Sequence, residues 1–219
     1  MHGGVGEALM MLIADGLTSI RGGRTLFSGL GVSVDAGEAL LVSGPNGSGK
    51  TTLIRTIAGF LRPAAGEIRL EHGDPERSLL EQCHYVGHRD SIKASLTVEE
   101  NAAFWGAFLG GAPTRVDGAL AAFGLEGLKD TPAAYLSAGQ RRRLGLARLL
   151  LADRALWLLD EPTAWRNSAD VPTDPQEIDD ERRPRIAGHL QIQEHSQGRR
   201  QILQLFLPPR SRAQRSCRP

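Results

Sequence analysis

Nine consecutive residues combine closely spaced glycines with a lysine and two threonines. They read G-P-N-G-S-G-K-T-T, fit the pattern G-x-x-x-x-G-K-[ST], and are Gly44, Pro45, Asn46, Gly47, Ser48, Gly49, Lys50, Thr51 and Thr52. The glycines let the backbone wrap a phosphate closely, with amide N–H groups pointing inward. Lys50 offers a charge for β- and γ-phosphates, and the Thr51 hydroxyl suits Mg²⁺. The run therefore predicts nucleotide binding, against the simpler alternative of a glycine-rich turn.

The residues on either side favour the phosphate interpretation. An apolar run at 40–43 predicts a buried strand before the loop, and apolar residues at helical spacing predict a helix through 53–61. A helix that begins directly after the loop adds its N-terminal dipole to the site.

A second candidate site lies where an apolar run at 155–159 ends in Asp160 and Glu161. An aspartate at such a strand end can hold Mg²⁺, and the next carboxylate can polarise an attacking water as a general base. An apolar run followed by two acids is common at strand ends. Its position, 110 residues after Lys50 on a separate predicted strand, gives it weight. We therefore predict Thr51 and Asp160 as Mg²⁺ ligands and Glu161 as the catalytic residue.

A third element is the predicted N-terminus of a helix over about 138–151. Ser137 and Gln140 have the spacing of a capping box, and the adjacent glycine leaves the helix end open to an anion. Taken alone, an ordinary helix cap would be the better interpretation. The five residues of this element are Leu136, Ser137, Ala138, Gly139 and Gln140.

The three elements, GPNGSGKT, LSAGQ and LWLLDEPTA in this order, resemble the nucleotide-binding domain of ABC transporters over about residues 10–164. The resemblance implies an α/β fold: a P-loop NTPase core with an antiparallel β subdomain and a helical subdomain inserted at about 89–135. It implies ATP and Mg²⁺ as cofactors. It also implies a homodimer in which LSAGQ contacts the γ-phosphate of the ATP held by the other subunit.

Five further segments are similar to the ATP-binding subunits of bacterial haem exporters in cytochrome c biogenesis, and they lie at 21–27, 87–93, 96–101, 104–105 and 137–149. This narrower resemblance implies membrane-embedded partner subunits and a peripheral location on the cytoplasmic face of the inner membrane. His88 stands near the place of a glutamine that, in most relatives, senses Mg²⁺ and couples to the membrane partner. We treat His88 as a possible equivalent, against the alternative of a polar loop residue without a role. Where many relatives stack an aromatic residue on adenine, this chain has Ile20 and Arg21.

Composition limits the other function classes. The 219 residues carry a formal net charge of +1, which gives no global reason to expect nucleic acid binding. Two cysteines, Cys83 and Cys217, cannot form a disulfide framework. The longest uncharged stretch with a large apolar cluster, 101–114, is too short for a membrane span. The N-terminal residues lack the pattern of a signal peptide.

The character of the chain changes near residue 165. Residues 165–219 contain ten arginines, no lysine and seven acids, a net +3, whereas the preceding 164 residues sum to −2. We therefore treat 1–164 as the ABC-type domain, incomplete at its C-terminus, and 165–219 as an atypical tail that is irregular or disordered. Our hypothesis is that the tail arises from a shifted reading frame or a rearranged gene. The alternative is a genuine lineage-specific extension.

The leading functional prediction is an ATP-hydrolysing subunit of a haem exporter in cytochrome c biogenesis. One alternative is an ABC ATPase that serves another cargo, because the motor residues do not identify what is moved. A second alternative is a truncated, catalytically impaired ATP-binding remnant. If the last strands of the sheet were missing, exposed sheet edges would predict weak ATP binding and slow turnover.

Overall fold

The computed structural model describes residues 10–87 and 89–160, together with the backbone of two strands at 185–191 and 201–206. Short 3₁₀ turns lie at Leu80–Gln82, Glu126–Leu128 and Ala133–Tyr135. The strands and α-helices, in chain order, are β1 (Met11–Arg21), β2 (Arg24–Asp35), β3 (Glu38–Gly44), α1 (Lys50–Ile57), β4 (Ala65–Glu71), β5 (Cys83–Val86), α2 (Val98–Leu109), α3 (Arg115–Ala122), α4 (Ala138–Leu151), β6 (Leu156–Leu159), β7 (Arg185–Gln191) and β8 (Gln201–Phe206).

The smaller sheet is antiparallel, with strand order β2-β1-β4. Leu12, Ala14 and Leu17 of β1 are buried against the core, and the register shifts between the last two. At this irregularity a Cβ on Gly66 would lie 2.5 Å from the backbone of Gly16, so only glycine fits there. This sheet confirms the predicted antiparallel β subdomain.

The larger sheet has the order β5-β6-β8-β3-β7 and carries the phosphate-loop strand β3 near its middle. β5 pairs with β6 in parallel, and β3 pairs with β7 in parallel. β8 runs antiparallel to both β3 and β6 and lies between them. Leu53, Ile54 and Ile57 of α1 are fully buried in the core shared with β3 and β6.

The tail, which we expected to be irregular or disordered, contributes two strands to the larger sheet, while the incompleteness of the domain over 1–164 stays a prediction. β7 and β8 both come from the atypical tail and occupy the places on either side of β3. The apolar run at 202–207 overlaps β8, so the sequence of this part of the tail does favour a strand. The end of the domain and the rest of the tail, at 161–184, 192–200 and 207–219, lie outside the described residues.

Helices α2, α3 and α4 form a second core around Val98, Leu120 and Leu144. The predicted capping box at Ser137 is present at the start of α4, and a second capping box, at Thr97, begins α2. In the described part of the chain, no helix is both long and apolar enough to cross a membrane.

A buried histidine connects β5, at the edge of the larger sheet, to the residue that follows α4. His84 of β5 is 2% exposed, and its Nε2 lies 2.9 Å from the backbone oxygen of Ala152, just after α4. Because a carbonyl only accepts, Nε2 carries the proton of the neutral ring. Burial lowers the pKa of His84 to about 4 by disfavouring the imidazolium. His84 is therefore a packing residue of the core.

This burial predicts an acid-sensitive fold. The unfolded chain takes up a proton at His84 near the ordinary pKa of about 6.5, and the folded chain does so only near 4. The contribution is therefore complete above about pH 6.5 and declines by up to roughly 3 kcal/mol as the pH falls towards 4. Urea unfolding between pH 7 and 4.5 measures it. His84→Gln keeps an N–H donor but cannot titrate, so its stability should depend less steeply on pH; an unchanged slope would contradict this account.

Candidate functional site

The phosphate loop, residues 44–52, connects β3 to α1 as the sequence predicts. Gly47 and Gly49 have φ values of +85° and +97°, a region that favours glycine. Gly49 is the residue before α1, and its carbonyl accepts the first helical hydrogen bond from Leu53, at 2.8 Å. The first turn of α1 contains no acidic residue, so its N-terminal amides can face an anion without repulsion.

Lys50 lies inside this loop. The residue is only 4% exposed. Its Nζ donates hydrogen bonds to the carbonyl oxygen of Gly44, at 2.8 Å, and to that of Pro45. Nζ is also 3.3 Å from the Ser48 hydroxyl. The positive charge is therefore held inside the loop by two backbone carbonyls and a hydroxyl.

Asp160 meets the loop from another strand. It follows β6, is 1% exposed, and accepts a hydrogen bond at Oδ1 from the Thr51 hydroxyl, at 3.1 Å. Its backbone N–H donates to Val86 of β5, at 2.8 Å, which fixes the end of β6 beside β5. The structure thus brings together the two predicted Mg²⁺ ligands. A hydroxyl and a carboxylate are hard oxygen ligands, and Mg²⁺ at nucleotide sites commonly takes one or two protein oxygens together with phosphates.

The signature residues 136–140 form the N-terminus of α4. Ser137 Oγ accepts from the Gln140 amide at 3.2 Å, and Gln140 Oε1 accepts from the Ser137 amide at 2.8 Å. Ser137, Ala138 and Gly139 are exposed, whereas Leu136 is buried beneath them. This open helix end can receive an anion presented by another molecule.

The segment around His88 is attached to α4. Arg142 Nη1 donates to the carbonyl of Gly87, at 3.0 Å, and to Asp90 Oδ1, at 3.1 Å. α4 can approach this closely because Gly145 has no side chain: a Cβ there would lie 3.2 Å from Asp90. His88 itself lies outside the described residues. The signature helix and the segment that contains His88 are therefore in direct contact.

The cleft at the phosphate loop is lined by Leu26 together with Gly47, Gly49, Lys50, Thr51 and Thr52. Leu26 is in β2, on the strand that pairs with the end of β1. That end of β1 contains Ile20 and Arg21, the residues at the position where many relatives stack an aromatic residue on adenine. Ile20 is half exposed, and Arg21 is exposed. The structure therefore adds an aliphatic residue, Leu26, to the cleft wall, which no local motif identified.

The structure assembles most of the predicted site. Residues 44–52 and Asp160 come together, and residues 136–140 form the predicted cap, but Glu161 lies outside the described residues. Sequence reasoning missed Tyr85, whose hydroxyl is 3.4 Å from Asp160 Oδ2. The only available signal was its place in the short stretch 83–86, whose residue types favour a strand.

Comparisons with known proteins agree with this geometry. The family described as ABC transporter matches residues 27–164. The cytochrome c biogenesis ATP-binding export protein CcmA of Nitrobacter winogradskyi is 57% identical over 155 residues, or 71% of this chain and 78% of the relative. The protein of the same name from Rhodopseudomonas palustris strain BisB5 is 56% identical with the same coverage. The solved structure of cbiO1 from Clostridium perfringens, part of the ABC transporter complex cbiONQ, has a TM-score of 0.61 and 31% identity, covering 70% of this chain and 66% of that one.

The loop geometry predicts different costs for two alanine substitutions. Gly47→Ala and Gly49→Ala both place a side chain at positive φ, at a cost of about 1–2 kcal/mol. A Cβ at Gly47 meets open space, whereas one at Gly49 lies 3.1 Å from Leu26 and 3.4 Å from Phe27. We expect Gly49→Ala to lose roughly 1–3 kcal/mol more in urea unfolding. Equal losses of unfolding free energy for the two variants would show that Leu26 does not pack against Gly49.

Proposed function

The chain belongs to the ABC transporter family, and on this premise we propose that it is the ATP-binding and ATP-hydrolysing subunit of a transporter that exports haem in cytochrome c biogenesis. The observation that carries the catalytic part of the proposal is the hydrogen bond between Thr51 and Asp160, 109 residues apart in the chain. It joins the phosphate loop to the strand end that precedes Glu161.

In the proposed mechanism, the amides of the phosphate loop and the N-terminus of α1 bind the phosphates of ATP. Lys50 supplies a positive charge at the centre of the loop. Thr51 and Asp160 would hold Mg²⁺, which neutralises charge on the phosphates when it is bound. Leu26 offers an aliphatic surface at the cleft wall for the nucleotide.

Hydrolysis requires a base next to the phosphates. Glu161 follows Asp160 directly, so we propose that its carboxylate accepts a proton from the attacking water. Because Asp160 is anchored by both its backbone and its side chain, the chain enters position 161 from a fixed point. His88, which follows β5 in the chain, remains our proposal for a possible equivalent of the glutamine that senses Mg²⁺ and couples to the membrane partner in most relatives.

The exposed signature end of α4 supports a head-to-tail homodimer. Ser137, Ala138 and Gly139 present a helix N-terminus to solvent, as a surface that receives the γ-phosphate from another subunit requires. Two ATP molecules would then lie between the phosphate loop of one subunit and the signature of the other. Closure of the dimer on ATP, and its opening after hydrolysis, would drive transport.

The proposed cargo and partners follow from the relatives. Proteins named for cytochrome c biogenesis and export are 56–57% identical to this chain over 155 residues. We therefore propose membrane-embedded subunits of that system as partners, and a peripheral location on the cytoplasmic face of the inner membrane. Co-purification with those subunits, compared with the membrane subunits of an unrelated transporter, separates haem export from an ABC ATPase with another cargo.

We also retain the proposal that residues 165–219 derive from a shifted frame or a rearranged gene. The family match stops at residue 164, where the composition changes. In the family that this chain resembles, a loop ending in Leu-Asp follows, and later a strand ending in Thr-His. In this chain the residues that follow position 164 are Trp165, Arg166 and Asn167. Translation of the other two frames beyond codon 164 tests the idea. If neither frame yields those features, the frameshift hypothesis is wrong.

Substitution of the proposed base distinguishes a working ATPase from an impaired remnant. Glu161→Gln removes the proton acceptor with little change in size, so ATP turnover should fall by about 100-fold or more while ATP remains bound. Turnover is measured by phosphate release in the complex with membrane subunits, and binding by equilibrium dialysis with ATP.

The matched control is Glu126→Gln, at an exposed glutamate in a 3₁₀ turn. It should leave both turnover and binding unchanged. If Glu161→Gln also changes neither quantity, the chain is an ATP-binding remnant and the hydrolytic part of the proposal is wrong.

A further inference from the structure

Tyr85 shares a face of the sheet with Asp160. β5 and β6 pair in parallel, and Tyr85 is the register partner of Leu158. Asp160 lies two residues beyond Leu158, and alternate residues of a strand point to the same face. The tyrosine side chain is thereby directed along the same side of the sheet as the predicted Mg²⁺ ligand.

The hydroxyl of Tyr85 lies between a cation and the carboxylate. Arg55 Nε donates to Tyr85 Oη at 3.3 Å, and Tyr85 Oη donates to Asp160 Oδ2 at 3.4 Å. A guanidinium only donates and an ionised carboxylate only accepts, so the hydroxyl can serve both partners in one orientation alone. The hydrogen bond that Arg55 donates to the Tyr85 hydroxyl also raises the pKa of Arg55.

The tyrosine ring is held independently of its hydroxyl. It makes an edge-on contact with Phe60, with ring centroids 5.2 Å apart. On another side it faces Gly87, where a Cβ would lie 3.2 Å from the hydroxyl oxygen and 3.3 Å from the ring. Removal of the hydroxyl alone should therefore leave the ring in place. The same contact connects Tyr85 to the residue that precedes His88.

Asp160 needs this second partner because its carboxylate can otherwise turn. The terminal torsion of aspartate is broad, so one hydrogen bond leaves the carboxylate plane loosely defined. Thr51 holds Oδ1, but its hydroxyl is itself a proposed ligand of Mg²⁺. Tyr85 holds Oδ2, the oxygen that Thr51 does not contact.

We propose that Tyr85 is a positioning residue that orients Asp160 for Mg²⁺, and that Arg55 orients the Tyr85 hydroxyl. This inference rests on the proposed function, because it presupposes that ATP binds together with Mg²⁺. It extends the proposed site to a residue of β5 and to the exposed side of α1. Partners that orient a metal ligand typically change metal affinity by about 10- to 100-fold when they are removed.

The test measures how far Mg²⁺ tightens nucleotide binding. Fluorescent N-methylanthraniloyl-ATP is titrated into the full chain, once in EDTA and once in Mg²⁺. Tyr85→Phe keeps the ring and should bind equally well in EDTA, while losing about 10-fold in affinity in Mg²⁺. Arg55→Gln should produce a smaller loss of the same kind. The control is Tyr135→Phe, which removes the hydroxyl of the chain's other tyrosine. Tyr135 is 80% exposed, so this variant should behave like the wild type.

Each contrary result has a distinct meaning. If Tyr85→Phe gains as much from Mg²⁺ as the wild type, Tyr85 does not orient Asp160. A second contrary result is an affinity of Tyr85→Phe that falls equally in EDTA and in Mg²⁺, and a third is a sharp drop in its melting temperature without nucleotide. Either result would show that the hydroxyl supports the fold rather than the metal ligand, and would overturn the inference. If the wild type itself gains nothing from Mg²⁺, the proposed function fails and the inference fails with it.

Discussion

A buried carboxylate determines how the rest of this domain is arranged. Asp160 is 1% exposed, and an ionised group at such a depth is costly unless hydrogen bonds compensate it. Its donors come from distant parts of the chain, Thr51 at the start of α1 and Tyr85 in β5. Those elements must converge at one edge of the sheet, and that edge is where a phosphate and a metal ion can be bound together.

The sheet order creates the room that this convergence requires. β8 lies between β3 and β6, so the strand that leads to the phosphate loop and the strand that ends at Asp160 are two spacings apart, about 10 Å. The loop and the first turn of α1 span this distance, so that the Thr51 hydroxyl lies 3.1 Å from Asp160 Oδ1. Directly adjacent strands would leave less space for the loop between them.

Local features were predictable, and features that depend on tertiary contacts were not. The phosphate loop and the caps at Thr97 and Ser137 are encoded in a few neighbouring residues, because glycine conformation and side-chain capping act over one turn. Tyr85 and Leu26 enter the site only through the pairing of β5 with β6 and of β1 with β2. A single sequence does not reveal such registers. β7 and β8 were missed because the surrounding tail composition outweighed one short apolar run.

The place of the tail in the sheet has a physical consequence for the site. In the described sheet, β3 has β7 on one side and β8 on the other, and both strands lie beyond the family match that ends at residue 164. The strand that supports the phosphate loop thus takes its ladder partners from the atypical part of the chain. β8 enters antiparallel between β3 and β6, and antiparallel pairing is at least as stable per residue as parallel pairing. A segment outside the family match can therefore satisfy the backbone of β3. The ladder requires main-chain donors and acceptors, and of the side chains it requires only a compatible pattern of apolar and polar residues.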